Sequence, residues 1–264
     1  MQNLRLMAPL KSPEESEVII QKLPSDMGIH RNPRKGTLKA PDVLLENLEF
    51  DREALVEEVF PDEFDLEKTH KRIEENTQDL LDYDKPILSI GGDHSVSFPV
   101  IKALKEENSE MNLVWLDSHL DLKEKVDGHV SHDVVVRELL KNGFSEDEIY
   151  FVGITRIDDD EKEFLQDHDL NVYREGELDS FLQEFSESGQ VYLSVDIDVL
   201  GEELAPGTGY PDGELDLEAV EKVIEVVDPD HADLVEVAPP FDRNGITLGS
   251  GRGIVESLVD QIAE

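Results

Sequence analysis

Three apolar runs in this chain each end in a short segment rich in histidine and acidic residues. The segments are Gly91–Ser95 (GGDHS), Asp117–Asp121 (DSHLD) and Ser194–Asp198 (SVDID). Successive side chains of a strand point to opposite faces, so residues 117, 119 and 121 are predicted to share one side, as are 196 and 198. Open α/β sheets place their sites at the carboxyl ends of strands. The pattern therefore predicts an α/β fold with a polar site at one edge of the sheet.

Strand-like runs alternate with amphipathic helical stretches along the chain. Strands are predicted at Val18–Lys22, Pro86–Ile90, Met111–Leu116, Ile149–Ile154, Asn171–Tyr173, Val191–Val195 and Asp233–Val237. A last helix is predicted over about Gly253–Ala263. This alternation indicates right-handed β-α-β crossovers and a mostly parallel sheet covered on both faces. The chain shows no internal repeat or linker, so residues 1–264 are predicted to form one domain.

The chain is strongly acidic, with 63 Asp and Glu against 24 Lys and Arg and a formal net charge of −39. The acids are spread along the whole length, so self-repulsion opposes the compact state at ordinary ionic strength. In molar salt the Debye length is about 3 Å and the repulsion is largely screened. We therefore expect a halophilic source with a salt-rich cytoplasm. The same charge repels nucleic acids and anionic membranes, and we expect neither as a partner.

Two further observations restrict the chemistry and the location. The chain has no cysteine, which excludes disulfides and thiolate metal sites. No apolar run reaches the ~20 residues of a membrane span, and the first residues lack the long apolar core of a signal peptide. We expect a soluble, cytoplasmic protein.

Six side chains are candidate metal ligands: His94, Asp117, His119, Asp121, Asp196 and Asp198. The last two are interleaved with Val, Ile and Leu, where an unpaired charge is costly and a bound cation would remove that cost. Oxygen and nitrogen ligands suit hard or borderline divalent cations. The alternatives are a hydrogen-bonded structural His94, a solvated loop at 117–121 and a salt-bridged strand end at 196–198. The combination favours a binuclear metallohydrolase.

Other candidate site residues follow the ligand motifs or end a separate apolar run. His129 and His132 could each move a proton near neutral pH, or could be surface histidines. Asp93 could orient the neighbouring imidazole. Glu236 is predicted to bind a cationic substrate group, because a carboxylate and a planar guanidinium form paired hydrogen bonds. The alternative for Glu236 is a structural pair with a helix N-terminus.

In this order, the motifs resemble those of the ureohydrolase (arginase/agmatinase) family. The match runs from about Ser25 to the C-terminus and includes Ala205–Gly209 (APGTG) and Val235–Pro240 (VEVAPP). The resemblance implies a three-layer α-β-α sandwich with an eight-stranded, mainly parallel sheet, which is the arginase-like fold. It also implies two Mn²⁺ ions per chain and assembly into a homo-trimer or homo-hexamer.

The resemblance also implies a role for each matched residue. One manganese would be held by His94, Asp117, Asp121 and Asp198, and the other by Asp117, His119, Asp196 and Asp198. A hydroxide between the metals would attack the guanidinium carbon, releasing urea and an amine. Glu236 would hold the guanidinium and His132 would transfer the proton, and these two residues and Asp121 form the predicted catalytic group.

Segments 121–132 and 236–247 resemble archaeal agmatinases more than arginases, so agmatine is the first expected substrate and putrescine its product. The segment Gly28–Asn32 resembles formimidoylglutamases. Formiminoglutamate, arginine, guanidinobutyrate and aminopropylagmatine therefore stay open as substrates. The chain departs from the family at Gly201-Glu202, where Asp-Pro is usual, and at Asp242–Gly245.

Two readings other than an active ureohydrolase also stay open. A zinc-dependent deacetylase shares the overall fold but would need one metal and a His-His pair. A non-catalytic family member would usually have lost at least one of the residues named above. Two bound metals per chain would favour the ureohydrolase, one the deacetylase and none a degenerate scaffold.

Overall fold

The structure is a computed structural model, and it describes residues 12–29, 34–125, 127–186 and 189–263. The strands within these ranges are β1 Val18–Leu23, β2 Ala54–Glu58, β3 Ile87–Gly91, β4 Asn112–Leu116, β5 Ile149–Ile154, β6 Asn171–Arg174, β7 Val191–Asp196 and β8 His231–Val235. The α-helices are α1 Ala40–Leu45, α2 Leu66–Leu81, α3 Ser97–Glu107, α4 Val135–Lys141, α5 Asp159–Gln166, α6 Leu178–Glu184, α7 Leu217–Val227 and α8 Ile246–Ile262.

The eight strands form one parallel sheet in the order β2-β1-β3-β8-β7-β4-β5-β6. Because every pair is parallel, the carboxyl ends of all the strands lie at the same edge. The central strands β3, β8, β7 and β4 therefore bring their following loops together, as expected for an α/β sheet. The predicted eight-stranded, arginase-like α/β fold is confirmed.

The central strands are apolar throughout because both faces of the sheet are covered. Along β4, Val114 and Leu116 pack in one buried cluster with residues of α1, α6, α7 and α8. Leu113 and Trp115 pack in a second cluster with residues of α2, α3 and α4. Successive residues of one strand thus pack into two cores on opposite faces of the sheet, which gives the predicted layers of helix, sheet and helix.

The edge strand β2 was absent from the sequence prediction. It pairs only with β1, and Val56 is 45% exposed, so this strand lacks the continuous apolar run of the central strands. At the other end of the chain, α8 begins at Ile246, well before the predicted start. The glycines of its first half resemble a loop in sequence, yet a Cβ on Gly251 would lie 2.9 Å from Leu44 Cδ2. That glycine lets α8 pack closely against α1.

None of the helices in the described ranges has the length and apolar character needed to cross a bilayer.

Candidate metal centre

The candidate ligands lie just after β3 and β4, at the last residue of β7 and in the turn that follows it. The prediction that residues 117, 119 and 121 share a strand face is wrong, because β4 ends at Leu116. The same prediction fails for residues 196 and 198, because β7 ends at Asp196 and a 3₁₀ turn follows. In both motifs the first aspartate closes a local turn at the end of the strand. Asp117 Oδ1 accepts from the His119 N–H at 2.7 Å, and Asp196 Oδ1 accepts from the Asp198 N–H at 2.8 Å. Such local bonds compete with the sheet ladder.

One group of carboxylates surrounds the Nδ1 atom of His94. Oδ2 of Asp117 and Oδ2 of Asp196 each lie 3.2 Å from it, and Oδ2 of Asp121 lies 3.5 Å from it. Asp121 has a φ of +51°, in a backbone region that aspartate visits rarely, and such residues cluster at functional sites. Four buried groups thus converge on one point.

A second group surrounds the Nδ1 atom of His119. Asp198 Oδ2 lies 3.1 Å and Asp117 Oδ1 lies 3.4 Å from this nitrogen. Asp117 therefore faces both imidazoles, one with each oxygen. Asp196 lies beside His94, and Asp198 lies beside His119. The resemblance to the family had instead implied that Asp198 shares a metal with each of the two histidines.

These residues fit a pair of divalent cations. His94 Nδ1, Asp117 Oδ2 and His119 Nε2 are buried and make no well-formed hydrogen bond among the described residues, although His94 Nδ1 lies 3.2 Å from Asp117 Oδ2 and His119 Nε2 lies 3.6 Å from Asp212 Oδ2. Leaving such atoms unsatisfied costs about 1–3 kcal/mol each. Ligand atoms of the sets His94–Asp117–Asp121 and Asp117–His119–Asp198 lie within 4.8 Å of one another, and the donors are all oxygen or nitrogen.

The electrostatics of the cluster show an excess of buried negative charge. Burial lowers the pKa of His94, but the carboxylates of Asp117, Asp121 and Asp233 raise it to about 9. Burial and the charge of Asp117 raise the pKa of Asp121 well above its ordinary value. Burial and its two neighbouring aspartates do the same for Asp196. Without metal the cluster therefore holds protons, which a cation would displace.

Three residues around His94, namely Ser194, Asp233 and Trp115, fix the orientation of its ring. His94 Nε2 lies 2.9 Å from Ser194 Oγ, and Ser194 donates to Asp233 Oδ1 at 2.8 Å. The serine oxygen therefore accepts from Nε2–H, which leaves Nδ1 to face the carboxylates. Trp115 stacks on the ring at 3.9 Å. Sequence reasoning assigned no role to Ser194 or Asp233, although a buried aspartate inside the apolar β8 was a signal that needed a partner.

Glu236 follows β8 and reaches the loop that carries His94. Its Oε1 accepts from the His94 N–H at 2.8 Å, and its φ is +61°. This bond to the first residue of the turn at 94–96 matches the structural alternative for Glu236. The side chain also lines the pocket above the cluster, as a substrate-binding residue must. Burial and the charges of Asp196 and Asp93 raise the pKa of Glu236 well above its ordinary value.

A pocket of about 250 Å³ opens over the cluster. The predicted site residues that line it are His94, His119, Asp121, His132, Asp196, Asp198 and Glu236. Its mouth carries ion pairs that sequence reasoning missed. Asp158 contacts Lys123 Nζ at 2.8 Å and Arg156 Nε at 3.0 Å. Asp212 contacts Arg156 Nη1 at 3.1 Å. These pairs join three of the loops around the mouth.

The structure separates the two candidate proton-transfer histidines. His132 lines the pocket, and its Nδ1 lies 3.1 Å from the carbonyl oxygen of Gly28. The side chain of His129 is 42% exposed, and its Nδ1 lies 3.9 Å from Glu67 Oε1. Only His132 is therefore placed to reach a molecule in this pocket.

The two departures from the family pattern have structural roles. The Gly201 N–H donates to the Leu215 carbonyl at 3.0 Å, so the loop after β7 is held without the usual Asp-Pro. Both carboxylate oxygens of Asp242 accept backbone N–H groups of Thr247 and Leu248 in the first turn of α8. Residues 30–33, which include most of the formimidoylglutamase-like segment, lie outside the described residues.

Comparisons with known proteins point to one family. A sequence model of the arginase family matches residues 16–259. An agmatinase of Bacillus anthracis is 30% identical and covers 93% of this chain and 92% of its own length. The chain belongs to the arginase family.

Other arginase-family proteins show how far the similarity extends. An N(1)-aminopropylagmatine ureohydrolase of Thermus thermophilus is 29% identical over 86% of this chain and 84% of its own length. The crystal structure of arginase from Bacillus subtilis covers 92% of this chain and 98% of its own, with a TM-score of 0.80 and 20% identity. The prediction of a ureohydrolase enzyme is confirmed at the level of the family. These relatives are bacterial, so the likeness to archaeal agmatinases stays a prediction.

Proposed function

We propose that this chain is a binuclear manganese hydrolase that converts agmatine and water to putrescine and urea. The observation that carries the proposal is the convergence of two imidazoles and four carboxylates, with buried atoms that make no well-formed hydrogen bond among the described residues, beneath a pocket of about 250 Å³. We further propose that residues 1–264 form one cytoplasmic domain that assembles as a homo-trimer or homo-hexamer.

The ligand positions suggest how the two cations would be shared. His94, Asp121 and Asp196 would hold one, His119 and Asp198 the other, and Asp117 would contact both. Bound divalent cations lower the pKa of a coordinated water, so that hydroxide is available near neutral pH. The carboxylates of the chain hold the cations in place and must lose their protons to do so.

Glu236 would bind the guanidinium of the substrate. One of its oxygens is held by the His94 N–H, which fixes the carboxylate in the pocket wall. A guanidinium beside it would restore the ionised form that burial disfavours, and a charge-assisted pair of this kind is directional. A guanidinium bound in this way would have its central carbon near the metal cluster.

His132 would transfer the proton to the departing amine. A carbonyl oxygen can only accept, so the contact with Gly28 places a hydrogen on His132 Nδ1. The neutral ring then carries its lone pair on Nε2, the nitrogen that can take up and release a proton in the pocket.

Substrate choice is the finer part of the proposal. The Bacillus anthracis relative bears the name of an agmatine hydrolase and the Thermus thermophilus relative that of an aminopropylagmatine hydrolase. Both names refer to cationic guanidino compounds. Among the charged residues that line the pocket, Asp158 is paired with Lys123 and Arg156, and Asp160 adds a further carboxylate. We therefore place agmatine first and aminopropylagmatine second.

Urea release tests the proposal. Protein loaded with Mn²⁺ in molar KCl is given agmatine, aminopropylagmatine, arginine, guanidinobutyrate or formiminoglutamate, with ammonia and formamide assayed for the last. Urea from agmatine with a kcat/KM at least about 100-fold above that for arginine would support an agmatinase. Urea from another guanidine alone would reassign the substrate. No product from any of them, with two metals bound, would overturn the proposal.

A further inference from the structure

The segment between β1 and α1 has no role in the proposed reaction, yet it contacts the residue proposed to transfer the proton. Gly28 lies in this segment, and its carbonyl oxygen accepts two bonds from His132. One comes from the backbone N–H at 3.2 Å and one from the ring Nδ1–H at 3.1 Å. The next residue, Ile29, is buried and lines the pocket.

The same segment is bound on its other side to the loop that carries His94. The Gly28 N–H donates to Asp93 Oδ2 at 3.0 Å. The Asp93 N–H donates to the Ser25 carbonyl at 2.9 Å, and the Gly92 N–H to the Leu23 carbonyl at 3.0 Å. The Gly28 peptide thus lies between two loops of the site, one of which it contacts through its N–H and the other through its carbonyl.

The space around Gly28 excludes a side chain. A Cβ at this position would lie 2.2 Å from Asp93 Oδ1 and 2.2 Å from Ser95 Oγ. Real Cβ contacts are longer than this, so substitution must displace the Gly28 peptide or its neighbours. The constraint comes from close approach and leaves the Gly28 carbonyl in one position relative to His132.

We infer that the Gly28 peptide is a positioning element that fixes the tautomer and the direction of the His132 ring. Holding the hydrogen on Nδ1 leaves Nε2 as the proton-accepting atom in the pocket. Asp93 contributes by holding the Gly28 N–H, which gives this buried carboxylate a task distinct from metal binding. The inference deepens the proposed function and rests on the proposed role of His132.

A double-mutant cycle with Gly28→Ala and His132→Ala tests the inference. Gly28→Ala should lower kcat by about 10- to 100-fold and change KM by less than about threefold, because the carboxylate of Glu236 is itself unchanged. His132→Ala should lower kcat by about 10²–10⁴-fold. Adding Gly28→Ala to His132→Ala should lower kcat by less than about a further threefold, since the effects of substituting residues that act as one unit are not additive.

Gly249→Ala is the matched control, because a Cβ there would meet nothing within 4 Å. We expect this variant to retain wild-type kcat and both metals. Metal content is measured for every variant, so that a displaced Asp93–His94 loop is recognised. If Gly28→Ala loses metal or does not fold, Ser25→Ala takes its place in the cycle, because Ser25 Oγ supports the same turn through the Met27 N–H.

The outcomes separate this inference from the proposed function. If the wild type releases no product from any substrate, or His132→Ala is fully active, the proposed function or its proton-transfer residue is wrong. The positioning role is then tested by carbethoxylation of His132, followed by mass spectrometry. One carbethoxyl group on His132 in the wild type and two in Gly28→Ala would support the role. If His132→Ala is impaired but the substitution in the 25–28 turn costs the same factor with and without His132, the inference is overturned. An active, metal-loaded Gly28→Ala also overturns it.

Discussion

At the scale of single residues, Asp117 differs from the other candidate ligands because its two oxygens face different imidazoles. Oδ2 lies 3.2 Å from His94 Nδ1 and Oδ1 lies 3.4 Å from His119 Nδ1. For this carboxylate, burial raises the pKa, but the two imidazoles outweigh burial and lower it. Asp117 is therefore ionised where Asp121 and Asp196 resist ionisation. It is the residue on which both halves of the cluster depend.

Removing Asp117 should therefore deplete both metals, whereas removing Asp198 should deplete mainly one. We expect Asp117→Ala to bind fewer than one equivalent of Mn²⁺ and Asp198→Ala about one, with turnover lost in both because the reaction needs the pair. Elemental analysis after dialysis measures this. Asp159→Ala is the control, since that side chain is 99% exposed. Loss of both metals from Asp198→Ala would instead support the family carry-over, in which Asp198 bridges.

The role of Glu236 predicts an effect on substrate binding. Glu236→Gln keeps an oxygen for the His94 N–H but removes the charge that pairs with a guanidinium. A charged hydrogen bond contributes about 1.5–3 kcal/mol, so KM for agmatine should rise about 10- to 100-fold with metal content unchanged. Steady-state kinetics with metal analysis tests this. Unchanged kinetics would leave Glu236 with only its structural bond.

At the scale of elements, the strands of the sheet carry the site at one end and a buried histidine at the other. His231 begins β8 and is 6% exposed. Its Nδ1 accepts from the Ile87 N–H of β3 at 3.1 Å, which requires a neutral ring with the hydrogen on Nε2. Burial lowers the pKa of His231 to about 4. This end of the sheet is therefore assembled around an uncharged imidazole.

This lowered pKa predicts an acid-sensitive contribution to stability. The unfolded chain protonates His231 near pH 6.5, before the folded chain does, so the free energy of unfolding falls as pH drops from about 6.5 to 4. The slope for one proton is about 1.4 kcal/mol per pH unit. His231→Gln can still accept from Ile87 but has no proton to gain, so its stability should fall less over this interval. Denaturant titrations of both proteins without metal measure the difference, and identical pH profiles would contradict the assignment.

At the scale of the whole molecule, the central sheet can be predicted from the sequence more readily than the contacts that bring the candidate site residues together. Buried strands such as β4 and β7 can be recognised in the sequence by their continuous apolar runs. Asp117 and Asp196 can be recognised as the acidic residues at the ends of those runs. The half-exposed β2 has no such run. The convergence itself depends on Asx turns that end the strands and on Ser194 below His94. The turns are local bonds between residues two apart. The His94–Ser194 contact joins segments that are 100 residues apart, and no local pattern encodes it.

The net negative charge of the whole chain predicts that the stability of the protein depends on salt concentration. With 63 acidic and 24 basic residues, most carboxylates cannot have a cationic partner, so their repulsion acts through solvent. Between physiological and molar salt the Debye length falls from about 8 Å to about 3 Å. We therefore expect the unfolding temperature to rise steeply up to about 1 M KCl and to level off above it.

Thermal scans of the metal-loaded protein across a KCl series measure this dependence, and sucrose is the matched additive that stabilises folded states without screening charge. A linear rise that continues beyond molar salt, with sucrose equally effective, would indicate surface exclusion rather than screening. Equal stability in dilute buffer and molar KCl would contradict the halophilic prediction. It would leave the arginase-family assignment intact, because that assignment depends on the ligand loops and not on the surface charge.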